Sequence, residues 1–429
     1  MSPDAAVQGS IWLVDAEIGE PLPDLLAPDD HREARVLVRL HGCPIGTLAV
    51  RLDGSPVPAS WLATAIWERL ADAIVAHCHE DGLPVPTALP PTGLAGGAGG
   101  APLPCSWRFC VDGAELPLAT IVITTCEGSP ALVETTAGAL AQTYPHFEVV
   151  VVDNRPASSG VAGVLAAAFP GEARLHLVTE ARPGLSHARN RGAAAARGDL
   201  IAFTDDDVVI DPDWLGHLVA GFEQPTVACV TGLILPRELE TAGQRLVEEF
   251  GGYAKGFERR TWDCREHRAP NFLYPYTVGV FGSGANAAFR REALTDVGGF
   301  DGSLGAGTRA RGGEDLDIYV ACIQQGFQIR YEPAAIVRHA HPRDLEAVRR
   351  KIRDYGVGLG AMLTKHLVRD WPTCAALLAR VPLGLRHLLS HRSTKNAGKS
   401  TTYPSSLTRA ELVGLAYGPL AYLRSRIGS

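Results

Sequence analysis

The chain has 429 residues, 46% hydrophobic and 20% charged, with a formal net charge of −7. This composition fits a globular protein with room for two or three domains, and the negative charge excludes a general attraction to nucleic acid. Nine cysteines form no dense pattern and Met1 precedes neither a basic stretch nor an apolar core, so a reducing cytoplasm is expected. No uncharged run approaches the length of a membrane span.

In chain order, Arg35–Leu40 and Gly46–Leu52 predict two strands around a turn at His41–Ile45, and Trp61–Cys78 predicts an amphipathic helix. This small α+β module, residues 1–84, carries no chemical motif. Pro84–Pro104 is rich in Pro, Gly and Ala and reads as the main part of a linker over 85–116. Cys105 and Cys110, just beyond it, have a spacing foreign to zinc ribbons and are expected to be buried free thiols.

From residue 117 strands and helices alternate. Ala119–Thr124 and Phe147–Asp153 are near-continuous apolar runs, as strands buried on both faces require, with a helix at Pro130–Thr143 between them. Leu175–Val178 and Leu200–Thr204 follow as strands, each succeeded by a helix, Leu185–Arg197 and Asp213–Phe222. Val227–Leu233, Ala285–Phe289 and Gln328–Val337 predict three more strands; Arg291–Val297 and Asp315–Gln325 predict helices. The fold class is therefore α/β, a doubly wound, mostly parallel sheet over 117–342, with a small α+β N-terminal module and a helical C-terminal tail over 343–429.

The stretch LIAFTDDDVVI, Leu200–Ile210, runs a strand straight into Asp205, Asp206 and Asp207. In open α/β sheets ligands bind beyond the carboxyl ends of the strands. Three adjacent acids there raise one another's pKa unless a cation offsets their charge, and Mg²⁺ takes one or two carboxylates plus phosphate oxygens. A solvated acidic turn is the competing reading. Asp153, also at a strand end, can accept from ribose hydroxyls or a base N–H, or cap an Asx-turn. Gly184 allows backbone approach at a helix start that attracts phosphate or sugar oxygens, and Arg189, one turn in, faces an anion or Asp205. Glu314 and Asp315 follow a Gly-rich segment, Gly302–Gly313, expected to be mobile; acids in a first helical turn also favour the helix dipole. Asn286, after GSGA, is positioned to hydrogen-bond a sugar hydroxyl or to complete a tight turn. Trp262, Phe272, Tyr274 and Tyr276 form either an acceptor wall or core.

These motifs, in the order ITTCEG, VVVVDN, RPGLSHARNRGAAAARGDLIAFTDDDV, GSGANAAFRREAL, GGFD, GGEDLD and VRHAH, resemble the family-two inverting glycosyltransferases of the GT-A fold over roughly Pro117 to His341. The resemblance implies that Thr124, Thr125, Glu127 and Asp153 hold the donor's base and ribose, and that Gly184, Arg189 and Asn190 serve the donor from their loop and helix. Asp205 and Asp207 align with the family's DxD pair. Asp207 then binds Mg²⁺ or Mn²⁺, Asp205 reaches ribose or a water of the ion, and Asp206 takes the variable middle place. Asp315 matches the general base, Glu314 helps hold acceptor or donor sugar, and either His339 or His341 contacts metal or diphosphate. The implied activity moves a sugar from a nucleoside-diphosphate donor to an acceptor hydroxyl, in the synthesis of a polysaccharide, glycolipid or glycosylated metabolite.

Two other readings compete. A sugar-phosphate nucleotidyltransferase shares the sheet and the acids but carries a Gly-rich phosphate loop after its first strand, where this chain has TTCEGSP. A non-catalytic nucleotide-sugar or carbohydrate sensor would lack the metal acids or the base, and all are present. In the tail, Ala375–Leu389 and Leu412–Ile427 are apolar but carry arginines, predicting either helices lying on the inner face of a membrane, which suits a lipid-linked acceptor, or helices docked on the catalytic unit.

Overall fold

The computed structural model describes residues 10–28, 31–94, 102–110, 116–276, 279–369, 371–390, 393, 396, 398–400 and 403–427. Residues 95–101 and 111–115 of the expected linker lie outside the described residues.

The N-terminal module is a three-stranded sheet of β1 (Ile11–Glu17), β2 (Glu33–Leu40) and β3 (Cys43–Arg51), covered by helix α1 (Ala59–Glu80). β2 and β3 form the expected hairpin, and its turn is tighter than predicted, at His41 and Gly42, which both take positive φ. β1, which its half-buried and weakly alternating side chains hid from the sequence pattern, pairs parallel to β2. The first part of the expected linker is tied down rather than free. Leu94 N–H bonds Ile18 O at 2.7 Å, Leu22 N–H bonds Pro91 O at 2.9 Å, and Leu89 joins the module's core. After it comes the short helix α2 (Trp107–Cys110).

The larger unit is built from β4 (Ala119–Thr125), α3 (Pro130–Leu140), β5 (Phe147–Asp153), α4 (Val161–Ala168), β6 (Leu175–Thr179), α5 (Leu185–Ala195), β7 (Leu200–Asp205), β8 (Val208–Ile210), α6 (Trp214–Ala220), β9 (Val227–Pro236), α7 (Ala242–Phe250), β10 (Arg260–Trp262), β11 (Asn286–Arg290), α8 (Arg291–Asp296), α9 (Glu314–Gln324) and β12 (Gln328–His339). Its sheet runs β10-β12-β9-β11-β7-β4-β5-β6, with β8 paired to β12. Neighbours β7, β4, β5 and β6 are parallel, as are β9 and β12; β11 is antiparallel to both β7 and β9. Period-two alternation gives each strand two apolar faces. Ile121, Val149 and Val151 pack with Trp214 and Leu218 on one side, while Val122, Val150 and Val152 pack with Phe203, Phe289 and Tyr319 on the other. Each such buried side chain contributes about 1.5–3 kcal/mol. Helix starts carry their own signals: Ser129 accepts from Leu132 N–H at 3.2 Å with Pro130 behind it, and Thr241 and Gln244 make a reciprocal capping box.

The tail holds α10 (Leu345–Leu367), α11 (Trp371–Leu389) and α12 (Ser405–Ile427). α10 and α12 touch backbone to backbone. A Cβ on Gly414 would lie 2.1 Å from Arg353 O, and one on Gly418 would lie 2.5 Å from the Cα of Gly360. Glycines four apart on both helices therefore stack on one face each and make the approach possible. For Leu412–Ile427 the docked alternative holds. The aromatic cluster divides: Trp262 and Tyr274 are core, while Phe272 is exposed under the Arg380 guanidinium, 5.5 Å from its ring. Among the described residues no helix is long and apolar enough to cross a membrane.

Candidate active site

The carboxyl ends of β4, β5 and β7 lie side by side, with Thr125 opposite Asp153 and Thr124 opposite Asp205. This register gathers residues far apart in sequence at one edge of the sheet, where the parallel architecture leaves a crevice. Asp205 and Asp207 flank His339, which arrives from the end of β12; its Nε2 is 3.6 Å from Asp205 Oδ2 and 3.5 Å from Asp207 Oδ1. One ligand atom from each of the three lies within 4.8 Å of the others. Two carboxylates and an imidazole, with the carboxylates partly open to solvent, fit a hard divalent cation that still needs oxygens from a substrate. Asp206 turns away and accepts a short hydrogen bond from Thr125 Oγ1.

Electrostatics separate Asp206 from Asp205. Burial, with Asp207 and Asp205 close by, pushes the Asp206 carboxyl up to about 6, against the hydrogen bond from Thr125. Burial would also raise Asp205, but its contact with His339 and the charge of Arg189 hold it at about 2. Arg189 is itself almost sealed, 3% exposed, and forks between Glu314 at 3.0 Å and Asp205 at 3.3 Å. Gly284 makes room for it, since a Cβ there would sit 2.6 Å from Arg189 Nη1. Glu314 is buried against this arginine, and burial followed by the neighbouring Asp315 pushes it up to about 7. Asp315 is the more open of the pair; its Oδ2 accepts from Gly284 N–H at 3.1 Å.

Several expected contacts take other forms. Asn286 is fully buried and donates to Leu233 O and Ala335 O while accepting from Trp214 Nε1–H at 2.8 Å. Its amide ties three core elements together. Asn190 clamps the backbone of Phe300 in both directions, at 2.7 and 2.9 Å, and so holds the chain before the Gly-rich segment. His341 points away from the acids; its Nε2 meets Glu248 Oε1 at 3.0 Å, which removes it from the metal group and leaves His339 there. Asp153 is buried and accepts from Arg155 N–H and Ser159 Oγ–H, the Asx-turn arrangement. Thr124 is buried and Glu127 is exposed at the rim. Gly184, at φ 130, donates to Asn154 Oδ1 at 2.9 Å at the start of α5.

Residues 302–313, expected to be mobile, are anchored. Leu185 N–H bonds Ala306 O at 2.9 Å, Ser186 Oγ–H bonds Leu304 O at 2.9 Å, and Gly305 N–H bonds Gly312 O at 3.1 Å. A cleft of about 630 Å³ lies on the outer side of this segment, bounded by Ala306, Thr308, Arg353, Asp354 and Tyr417, and does not include the acids.

Three basic or aromatic groups were missed. Tyr253 stacks on His339 with ring centroids 5.4 Å apart, and Lys351 Nζ lies over the Tyr253 ring, 5.3 Å from its centroid. Burial lowers the Lys351 pKa while Asp207 and Asp205 oppose that fall, so this lysine of α10 faces the acids. Lys255 is brought down to about 8 by burial, opposed by Glu248 and Asp315. For Lys351 the signal available in the sequence was only a basic run after VRHAH, in a helix assigned to the tail.

The family model described as Glycosyl transferase family 2 matches residues 120–298. That region of the chain is similar to a family 2 glycosyltransferase domain. The N-terminal sheet and the tail helices lie outside the matched range. A pre-mycofactocin glycosyltransferase of Mycobacterium tuberculosis (strain ATCC 25618 / H37Rv) is 31% identical over 184 residues, 43% of this chain and 36% of the relative. A glucosyl-dolichyl phosphate glucuronosyltransferase of Haloferax volcanii is 29% identical over 219 residues, 48% of this chain and 63% of the relative. The chain thus spans less than two thirds of either relative. Among solved structures, the mannosyltransferase PcManGT of Pyrobaculum calidifontis in complex with GDP-Man and Mn²⁺ aligns with TM-score 0.46 and 19% identity, over 73% of this chain and 92% of that one. The matched range holds Asp205, Asp206 and Asp207; Glu314 and Asp315 on α9 and His339 on β12 follow it.

Proposed function

We propose that the protein is an inverting, metal-dependent glycosyltransferase that moves a sugar from a nucleoside-diphosphate donor to an acceptor hydroxyl. The observation that carries this reading is the convergence of Asp205, Asp207 and His339 at the sheet edge beside Asp315 on α9. Thr124, Thr125, Glu127 and Asp153 line the strand ends where base and ribose would lie, with the Asp153 turn opening to a ligand or serving as its floor. Asp207 and His339 hold Mg²⁺ or Mn²⁺, and when bound the ion neutralises charge on the departing diphosphate. Asp315 takes the acceptor's proton. The freed oxygen bonds to the anomeric carbon from the face opposite the diphosphate, whose C–O bond breaks with its electron pair leaving on the phosphate oxygen. Arg189 keeps Asp205 ionised and fixes Glu314 beneath Asp315, so one buried cation orients both halves of the site.

Asp207→Asn tests the binding half. Calorimetry on the wild type should give nucleoside-diphosphate binding that requires Mg²⁺ or Mn²⁺. The variant should lose at least about a hundredfold in that affinity, beyond the ten- to hundredfold typical of losing an outer-shell partner. Its circular dichroism should be unchanged. Undiminished metal-dependent binding would remove Asp207 as a ligand.

For the acceptor we favour a lipid-linked molecule at an anionic membrane surface. On α11, Trp371, Leu378 and Leu389 are all more than half exposed and fall about two and three turns apart, on one face, with Arg386 at its edge, while Arg380 lies on the other side and bonds Phe272 O at 3.1 Å. The full chain should co-sediment with anionic liposomes, and a full-length variant carrying Trp371→Ser, Leu378→Ser and Leu389→Ser, which leaves α12 in place on α10, should stay in the supernatant. Equal sedimentation of both would leave α11 as a surface helix without a membrane role.

A further inference from the structure

A second cluster of metal-ligating side chains, sharing no residue with the acids, lies in and beside the N-terminal module, where the sequence shows no motif. His41 comes from the hairpin turn between β2 and β3, His77 and Asp81 from the end of α1, and Cys105 from the segment entering α2. His77 and Asp81 are four apart and so share a helix face. His41 occupies the first position of a two-residue turn in which both φ angles are positive, a place that favours Asn or Gly. Glu17 braces that turn, accepting from His41 N–H at 3.0 Å and Gly42 N–H at 2.9 Å. The imidazole is thereby presented inward on a short, fixed turn.

The distances are those of a collapsed coordination shell. Asp81 Oδ2 lies 2.8 Å from His41 Nδ1 and 3.2 Å from His77 Nε2, and Cys105 Sγ lies 3.9 Å from His41 Nδ1. All four ligand atoms fall within 4.8 Å of one another. A tetrahedral zinc site with bonds of about 2.0–2.3 Å has ligand–ligand edges of roughly 3.3–3.8 Å, so shifts of a few tenths of an ångström would open the shell. The other carboxylate oxygen, Asp81 Oδ1, is already held by Cys105 N–H at 2.8 Å, the outer-shell bond that orients a ligating carboxylate.

Burial argues in the same direction. The Asp81 side chain has no exposed surface, and among the described residues it pairs with the two histidines and with no lysine or arginine. His77 Nε2 is buried without a well-directed hydrogen bond, because both imidazoles crowd one oxygen. A hydrogen-bonded His–Asp–His network explains two corners of the cluster but leaves His77 Nε2 without a hydrogen bond and gives the Cys105 thiol only a long contact to His41 and the neighbouring Cys43 thiol. A divalent ion takes all four donors, and with one carboxylate, one thiolate and two neutral imidazoles the buried shell is electrically neutral.

We propose that His41, His77, Asp81 and Cys105 bind a structural zinc ion. Two nitrogens, one oxygen and one sulfur suit borderline-soft Zn²⁺, whereas the two carboxylates and single imidazole of the catalytic crevice suit a harder ion. With four protein ligands the shell is closed and has no position for substrate. Its position states its task. Cys105 lies two residues before Trp107, whose ring packs in the core of the catalytic unit and whose Nε1–H bonds Asp213 at 3.0 Å. The ion therefore pins hairpin, helix and the entry to the catalytic sheet at one point, next to the ion pair of Arg39 with Asp211 at 2.7 Å.

Elemental analysis of the purified full chain, after dialysis against a weak chelator, should find one zinc per chain. Cys105→Ser and His77→Gln should each lose it, while Asp207→Asn keeps it, which separates this site from the catalytic one. Cobalt taken up in place of zinc should show a thiolate-to-metal charge-transfer band and tetrahedral ligand-field absorption in the wild type, the former absent from Cys105→Ser. A strong chelator should lower the melting temperature of the wild type and leave that of Cys105→Ser unmoved. A wild-type chain that retains no zinc and gives no cobalt–thiolate band overturns the proposal. So does full zinc retention by Cys105→Ser, a comparison that needs only a folded variant.

Discussion

Replacing Asp315 by Asn should reduce sugar transfer by about a hundred- to ten-thousandfold while leaving donor affinity nearly unchanged. In barrier terms this is roughly 2.7–5.4 kcal/mol. The expectation follows from where the carboxylate sits. Asp315 opens α9, stays partly open to the crevice, and is steadied by Gly284 N–H, an acceptor role that the amide oxygen of Asn can keep. It is absent from the group of Asp205, Asp207 and His339, so metal and diphosphate lose nothing when it is neutralised. A purely structural acid at a helix start would behave differently, with about a kcal/mol or less of stability lost and turnover kept. Melting temperature, donor affinity by calorimetry and turnover on one preparation distinguish the two. Near-normal turnover would remove Asp315 as the base. Glu314 is a poor substitute because its carboxylate is buried against Arg189.

The second large effect is expected at Arg189. Arg189→Met keeps the length of the stem but removes a buried cation that neutralises both Glu314 and Asp205. Breaking a buried pair from one side costs about 3–5 kcal/mol, since the remaining charge has no partner and no water. Denaturant unfolding should show a loss of this order, and metal-dependent donor binding should weaken as Asp205 loses its orienting partner. The loss should also depend on pH. In the wild type Glu314 already sits at about 7, above its ordinary 4.5, because burial disfavours its charge. A raised carboxylate pKa means the folded state binds the proton more tightly, so the penalty is absent below the unfolded value and complete above the folded one. Without Arg189 that folded value rises further. The stability gap between variant and wild type should therefore widen from pH 6 to pH 8. A gap that is the same at both would show that Glu314 does not carry the effect. Arg189→Lys should recover part of the stability, because the charge returns without the planar fork that meets two carboxylates at once.

Much of the architecture was legible because it is written locally. The apolar runs of β4 and β5 can only be strands buried on both faces, and the acids at the end of β7 had to fall at the ligand-binding edge of a parallel sheet. Element types and their order follow from hydrophobic periodicity, which each segment carries by itself. β1 escaped because a strand half covered on both faces shows no clear alternation. The DxD acids and the acidic start of α9 were visible for the same local reason, as charge placed abruptly at the end of an apolar run or a glycine-rich stretch.

What tertiary structure decided is which polar groups meet. Asn286 and Asn190 are chemically apt for a sugar, yet buried carbonyls and N–H groups claim them first, and an unsatisfied polar group in the core costs more than a surface contact returns. His339 and His341 are two residues apart, but the strand ends between them, sending one imidazole to the acids and the other to Glu248. Lys351 reaches the acids only because glycines on α10 and α12 let those helices close on each other and fix α10 over the crevice. Cys105, a plain buried thiol in the sequence, gains its partners from a turn 64 residues away and a helix end 24 residues away. Periodicity is a property of neighbours along the chain and could be read directly; hydrogen-bond and ligand partnership is a property of neighbours in space, and the fold alone assigns it.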